Sequence, residues 1–396
     1  MIFVKNIVLS IPNIKIFVRQ VKFIIFVKII YKMAKKTESS LSQTVANSLK
    51  TSFNIDAFKK SKFLGGSVKF KSQRWIPFSK ALQDALGIPG VPMGGITLLR
   101  GHSNTGKSTT LSEIAAAAQT MNVLPVWIVT EMKHDWAYPR KLGFQMEDVV
   151  NEDTGEVIDY KGFFLYVDRG SLNSIEDMAS FIADLLNEQA TGKLPYDLLF
   201  LIDSIGSIPC KMSIDANNNN PQWNAGAYSQ QFGNFINQRI TLSRKENQPY
   251  TNTIVAVNKV WVSPAETKFS QPKMRNKGGD TMFYDSSLVL TFGNITNSGV
   301  SKIKATKNKK EVEFAGRTKV SCDKNHVTGI TTKSTIIMTL HGFIEDDPKA
   351  IEKYKKLHSN EWSEILGQEG EIEVVVDNSE WEEDLKAVPI ISIDEE

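Results

Sequence analysis

ITLLRGHSNTGKSTTLSEIAAAAQTM, residues 96–121, decides the fold. It opens with the apolar run Ile96–Arg100, passes through a loop bounded by Gly101 and Gly106, and ends in a strong helix former from Leu111. The loop fits the pattern G-x-x-x-x-G-K-[ST]. In this pattern glycines let the backbone wrap so that several N–H groups face one anion, and the following helix adds its positive dipole end. Gly101, His102, Ser103, Asn104, Thr105, Gly106, Lys107, Ser108 and Thr109 are therefore the expected phosphate cradle. Lys107 supplies a point charge to the β- and γ-phosphates of a nucleotide, and the Ser108 hydroxyl can ligate Mg²⁺.

Outward from this segment the pattern of strand, loop and helix repeats. VWIVT (126–130), LLFLI (198–202), TIVAV (253–257), SLVLTF (287–292), VSKIKAT (300–306) and STIIMTL (334–340) read as strands. IEDMASFIADLLNEQ (175–189) reads as a helix capped by Ser174, and a further helix is expected over about 227–246. Continuous apolar strands alternating with helices imply an α/β fold with a mostly parallel central sheet. Residues 75–93 read as a helix closed by a Gly/Pro-rich turn, and 41–64 as a small basic helical segment. The expected organisation is a non-native or disordered leader over 1–32, a helical segment over 33–74, a phosphate-binding α/β core over 75–345, and a C-terminal helix with an acidic tail over 346–396.

Two acids should join the cradle. Asp203 ends the buried LLFLI strand, where ligands bind in parallel sheets, and is the second expected Mg²⁺ ligand beside Ser108. Glu131 follows VWIVT and can polarise the water that attacks the γ-phosphate.

Composition bears on partners. The 396 residues carry a net charge of +3, but the charge is segregated. Residues 1–32 hold six basic and no acidic groups, 33–360 hold 40 basic against 31 acidic, and 361–396 hold 13 acids and only Lys386. The body is basic and the tail strongly acidic, which permits a nucleic-acid partner. Deleting 361–396 is expected to raise duplex-DNA affinity at low salt, as read by titration. The apolar residues of 1–32 form no run long enough for a membrane helix, and translation from Met33 is the expected start. Cys210 and Cys322 form no CxxC pair and read as buried thiols of a reducing compartment. His102, His134, His326, His341 and His358 are scattered and suggest no metal site.

ALGIPGVPMGGITLLRGHSNTGKS (85–108), TEMKHDWAYPRKLGF (130–144), DSIGSIP (203–209), TIVAVNKVWV (253–262) and KATKNKKEVEF (304–314) together resemble the RecA recombinase family, and within it the phage branch typified by UvsX. The resemblance spans about 75–340. It implies that Glu131 is the base that activates water and that Asp135 and Tyr138 contact adenine. Lys259 falls where cellular members carry a Gln that senses the γ-phosphate. Lys307 and Lys309 would reach a neighbouring subunit's ATP as trans-acting cations, so that turnover depends on assembly.

The resemblance also implies a helical filament on single-stranded DNA that pairs with homologous duplex DNA, aided by single-strand-binding and mediator proteins, in the cytoplasm (of a host cell, if phage-encoded). Two loops would face the DNA, 209–226 with Trp223, and 262–281 with Lys268, Lys273, Arg275, Lys277, Gly278 and Gly279. Basic side chains there neutralise phosphates, and Trp223 can stack on any base. The spacing of the second loop is one residue shorter than the family pattern. A hexameric replicative helicase of the same fold, or a mediator that uses ATP only to assemble, are the competing readings.

Overall fold

Sixteen strands and ten helical segments succeed one another along the described part of the computed structural model, which comprises residues 69–131, 135–263, 273–294, 298–307, 310–361 and 373–376. The chain divides into two units, Met1–Lys69 and Phe70–Glu396, and all of these elements belong to the second. The readings of a leader over 1–32 and of a helix over 41–64 lie outside the described residues, as does most of the acidic tail.

The first elements correct the reading of 75–93 as a helix. Strands β1 (Trp75–Pro77) and β2 (Gly90–Pro92) pair antiparallel, and only α1 (Lys80–Leu86) between them is helical. Gly87 ends the helix at φ +66°. Gly90 allows the close pairing, because a Cβ there would lie 2.0 Å from the Ile76 carbonyl oxygen.

The P-loop unit comes next as β3 (Ile96–Gly101) and α2 (Lys107–Thr120), then β4 (Val123–Val129) and α3 (Ala137–Lys141). A hairpin of β5 (Glu147–Val150) and β6 (Val157–Lys161) precedes β7 (Leu165–Val167). Helix α4 (Ile175–Ala190) starts in a capping box in which Ser174 and Asp177 exchange hydrogen bonds, as its sequence predicts. Strand β8 (Asp197–Ile205) leads to α5 (Lys211–Asp215) and α6 (Pro221–Tyr228). The helix continues through a wider π-type stretch, Ser229–Ile236, into α7 (Asn237–Leu242). Next come β9 (Thr253–Ser263), β10 (Lys273–Asn276), α8 (Thr281–Asp285) and β11 (Leu288–Phe292). The chain closes with β12 (Ser301–Lys307), β13 (Lys310–Asn325), β14 (Thr332–Thr339), β15 (Gly342–Glu345), α9 (Pro348–Leu357) and β16 (Glu373–Val376).

The strands β7-β4-β8-β9-β3-β11 form a continuous parallel run. Beyond β11 the sheet turns antiparallel through β13, β14 and β15, with β12 and β16 on a side branch. Side chains alternate between two cores, as a period of two requires. Leu99, Trp127, Leu201 and Val257 face one core with Leu111, Ile114 and Ala118 of α2. Leu98, Ile128, Phe200 and Ala256 face the other with Ile175, Met178 and Ile182 of α4. Helices thus cover both faces of the parallel region, a three-layer α/β architecture. Both cysteines are free and buried, and burial pushes the Cys322 thiol up to about 11. Among the described residues no helix is long and apolar enough to cross a membrane.

Candidate active site

The carboxyl ends of β3, β4, β8 and β9 converge, and each delivers one group. Gly106 takes φ +104° as the residue that starts α2, and a Cβ on it would lie 2.9 Å from the Phe343 ring. Asn104 is also left-handed, at φ +60°. The loop therefore curls as the glycine spacing predicts. Gly101, Thr105, Gly106 and Thr109 are buried, while Ser103, Asn104 and Ser108 are exposed at its rim.

Lys107 is 5% exposed. Its Nζ donates to the His102 carbonyl oxygen and stands 3.5 Å from Thr105 Oγ1, with no carboxylate among the described residues bonded to it. Burial lowers its pKa to about 8, with the Asp203 charge opposing. An anion at the loop would offset that burial cost. Ser108 Oγ donates to Asp203 Oδ2 at 3.2 Å. Burial, with the Glu131 charge beside it, pushes Asp203 up to about 6. A hydroxyl and a carboxylate so close are hard oxygen donors of the type Mg²⁺ prefers, so Ser108 and Asp203 fit the ion their positions imply.

Glu131 accepts from Ser204 Oγ at 2.9 Å and pairs with Lys259 Nζ at 2.8 Å, both through Oε1. Burial alone would raise its pKa, but these hydrogen bonds and the Lys259 charge outweigh it and hold the carboxyl below its ordinary value. Thr130 fastens the neighbouring backbone, its Oγ1 donating to Ser204 O and accepting from Ser204 N, each at 2.7 Å. Strand β8 lies between β4 and β9, so Ser204 bridges the gap between the Glu131 and Lys259 strand ends. Asn258, beside Lys259, is fully buried with no hydrogen-bond partner on its side chain. Such an orphan costs about 1–3 kcal/mol.

Tyr138 Oη lies 2.7 Å from Thr109 Oγ1, which places its ring against the start of α2. Together with Ser108, Asp135, Glu131 and Asp203 it lines a cavity of about 210 Å³ beside the P-loop. Asp135 is exposed and accepts from the Ala137 N–H at 2.8 Å just ahead of α3.

Sequence comparisons bear on the family. The RecA N-terminal domain family matches residues 48–161. The chain is 24% identical over 303 residues to Protein RecA of Nitratidesulfovibrio vulgaris, covering 74% of this chain and 72% of that one. These matches support a RecA-family assignment. Shorter stretches of higher identity join it to Protein RecA of Geobacter sulfurreducens, 40% identical over 80 residues (20% of this chain and 24% of that protein). Protein RecA of Thermus thermophilus is 39% identical over 80 residues, with the same coverage.

The two loops expected at DNA start side by side. A Cβ on Gly206 would lie 2.9 Å from Lys277 Cγ, and one on Gly278 would lie 2.9 Å from the Tyr228 ring. Tyr228 is fully buried and accepts from the Gly206 N–H at 2.8 Å. It is a joint that periodicity does not reveal, since its role depends on two distant glycines. Gly278 and Gly279 take φ +82° and +90°, consistent with the tight turn their pairing suggests.

The first loop is more helical than its sequence reading. It holds α5 and α6, and Trp223 sits on α6, partly buried against the α4-side core. The Asn220 side chain caps α6 and Pro221 starts it, which explains how a run of asparagines precedes a helix. In the second loop Arg275 stands 3.8 Å from Asp280, and Lys277 is exposed with its N–H donating to the Lys259 carbonyl at 3.0 Å. Lys273 pairs through its backbone with Ser263, while Lys268 lies outside the described residues. Lys307 ends β12, paired through its backbone with Lys310, and Lys309 lies outside the described residues.

Sequence reading also missed Glu113, half-buried on α2. Its Oε1 accepts from the Phe343 N–H at 3.0 Å, and its Oε2 is sealed from solvent, with the Ser79 hydroxyl as its nearest support. Burial pushes its pKa from 4.5 up to about 7, with the Phe343 hydrogen bond opposing. Below pH 4.5 the folded and unfolded chains both hold this proton, and Glu113 has no effect on stability. As pH rises toward 7 the unfolded chain ionises first and folding loses up to about 3 kcal/mol, fully lost above pH 7. Glu113→Gln, which keeps an acceptor for Phe343, is therefore expected to be more stable than the parent at pH 8 and no more stable near pH 4. Denaturant midpoints at the two pH values check this, and equal gaps at both would contradict it.

Proposed function

We propose that this RecA-family recombinase is a DNA-dependent ATPase, with the hydrolytic site formed by Lys107, Ser108, Asp203 and Glu131. The observation that carries the reading is the convergence of a P-loop lysine with no carboxylate partner among the described residues, a hydroxyl–carboxylate pair and a bonded glutamate at adjacent strand ends. The backbone N–H groups of 101–109 and Lys107 bind and orient the phosphates. Mg²⁺, held by Ser108 and Asp203, supplies charge neutralisation to them when bound. Glu131 holds the attacking water and accepts its proton, and its lowered pKa keeps it ready to do so at neutral pH. Tyr138 and Asp135 flank the nucleotide on the α3 side. Trans-acting Lys307 and Lys309 belong to the same proposal.

Coupling to DNA runs through Lys259. Its side chain is bonded to Glu131 and its carbonyl to the Lys277 N–H at the base of the second loop. A base engaged by Lys259 is less available to water, so release of this pair on loop engagement favours turnover. The protein then assembles as a helical filament on single-stranded DNA, with Trp223, Lys268, Lys273, Arg275, Lys277, Gly278 and Gly279 on the DNA side, and catalyses pairing with homologous duplex DNA. Placement in the phage branch, a cytoplasmic setting, partner single-strand-binding proteins and the domain limits at 74 and 345 are parts of the same proposal.

Lys259→Ala is expected to raise DNA-free turnover about two- to five-fold, the worth of a partly exposed ion pair of up to about 1 kcal/mol. DNA stimulation should shrink accordingly. A steady-state assay with and without oligonucleotide reads both, and a fall in DNA-free turnover would reject the latch. The filament itself is tested by negative-stain imaging with an ATP analogue and single-stranded DNA, where closed rings would favour the helicase reading.

A further inference from the structure

The run Asp203-Ser204-Ile205-Gly206-Ser207 puts two hydroxyls at the end of β8. Ser204 is completely buried, while Ser207 is half-buried where the chain leaves the sheet. Gly206 takes φ +80° and turns the backbone between them. The two Oγ atoms lie 2.6 Å apart, and Ser204 Oγ lies 2.9 Å from Glu131 Oε1. Ser207, Ser204 and Glu131 thus form one hydrogen-bonded row that joins the end of β8 to the end of β4.

Proton count gives this row a direction. A hydroxyl has one proton to donate, and an ionised carboxylate has none. Ser204 gives its proton to Glu131, so Ser207 is the donor in the bond between the two hydroxyls. Each donation polarises the next, and a bond to a charged acceptor is the strongest kind. The row is also anchored from outside. Thr130 Oγ1 holds the Ser204 backbone at both its N–H and its carbonyl. On either side of Ser207, the Gly206 N–H donates to the buried Tyr228 hydroxyl, and Pro209 O accepts from the Ile175 N–H at 3.0 Å at the start of α4.

Burial separates the two groups that bond Glu131. Ser204 Oγ and Lys259 Nζ both end on Oε1. The Lys259 side chain is 41% exposed, so water competes for it and its bond exchanges readily. The Ser204 hydroxyl is sealed from solvent, and a buried donor left without an acceptor is unfavourable. Oε1 therefore stays with Ser204 when Lys259 lets go, and Oε2 is the oxygen left to face water.

We infer that Ser204, backed by Ser207, is the positioning residue of Glu131: it holds Oε1 so that Oε2 is presented to the attacking water. This role rests on the reading of Glu131 as the base, and it supplies what keeps that base aimed once the Lys259 latch opens. Without the hold the carboxylate is free to swing away from the water, and a misplaced group loses rate although its chemistry is intact.

Steady-state turnover and fluorescent-nucleotide binding of full-chain variants test this. Ser204→Ala should lower kcat at least about ten-fold, with nucleotide affinity within about two-fold of the parent. Ser207→Ala should lower kcat about three-fold through the lost support, and Ser207→Thr, which keeps the hydroxyl, should recover it. Combining Ser204→Ala with Lys259→Ala should remove the gain that Lys259→Ala gives alone, because a released carboxylate with no hold is not aimed. A residue needed only for folding would instead lower nucleotide affinity and the thermal midpoint together. Should Ser204→Ala not fold, the two Ser207 variants carry the test. Turnover of Ser204→Ala within about two-fold of the parent would overturn the inference, and so would equal turnover of Ser207→Ala and the parent. Glu131→Gln separates the two levels. If it loses turnover while Ser204→Ala does not, the base stands and the positioning role fails; if it keeps its turnover, both fail.

Discussion

Lys107→Ala is expected to reduce ATP turnover at least about 10²–10³-fold, the loss that follows removal of one preorganised donor at a site of developing charge. The ammonium is buried, held by His102 O and Thr105 Oγ1, and has no carboxylate among the described residues bonded to it. Its position is therefore set by the loop before the nucleotide arrives, and its charge is poorly compensated until a phosphate binds. Truncation leaves the loop N–H groups and the α2 dipole, so some nucleotide affinity should survive while kcat collapses. Fluorescent-nucleotide binding and steady-state turnover measured side by side separate the two. Turnover within a few-fold of the parent would overthrow the site assignment.

Glu131→Gln is expected to lower turnover about 10²–10⁴-fold with nucleotide affinity nearly unchanged. The amide retains an oxygen for Ser204 Oγ but cannot accept a proton from water. Its ion pair with Lys259 is also lost, so any stimulation from releasing that latch disappears in the same variant. Loss of the hydrolytic step with nucleotide affinity retained distinguishes a base from a structural anchor, which would leave hydrolysis within a few-fold of the parent. Single-turnover hydrolysis with saturating nucleotide is the appropriate readout, and a rate close to the parent's would mean that another group takes the proton.

Much of the candidate site is legible in residue order because it depends on local rules. The phosphate loop needs glycines at two fixed positions and a helix behind them, and 96–121 contains both. Asp203 is recognisable because a buried parallel strand is a continuous apolar run, and its last residue must face the ligand crevice. The Ser108–Asp203 contact follows from those two facts alone. The Glu131–Lys259 pair does not, because it depends on sheet order. Only with β8 between β4 and β9 do the two side chains meet across Ser204.

The same reason hides other features. Trp75-Ile76-Pro77 has too few residues to signal a strand, and its pairing with β2 is set by the close approach that Gly90 permits. The long strand β13 alternates charged and apolar residues and reads weakly next to the basic KNKK segment. His341 and His358 look scattered, and their rings stack only because α9 folds back onto the β14–β15 turn. Trp223 looks like a free loop aromatic in sequence, but the Asn220 cap and Pro221 start a helix that packs one side of it. Local chemistry is written in sequence; the partners that sheet order and helix docking bring together are not.

If the P-loop, Glu131 and the two loops form one machine, DNA controls ATP hydrolysis. Phosphate release by the purified full chain with Mg²⁺ and ATP, measured with and without single-stranded DNA across a salt series, reads that control. Slow release is expected without DNA, with a large increase on adding DNA and progressive loss of that increase as salt screens the loop contacts. Hydrolysis at the same rate with and without DNA at every salt concentration, or no hydrolysis at all, would contradict it.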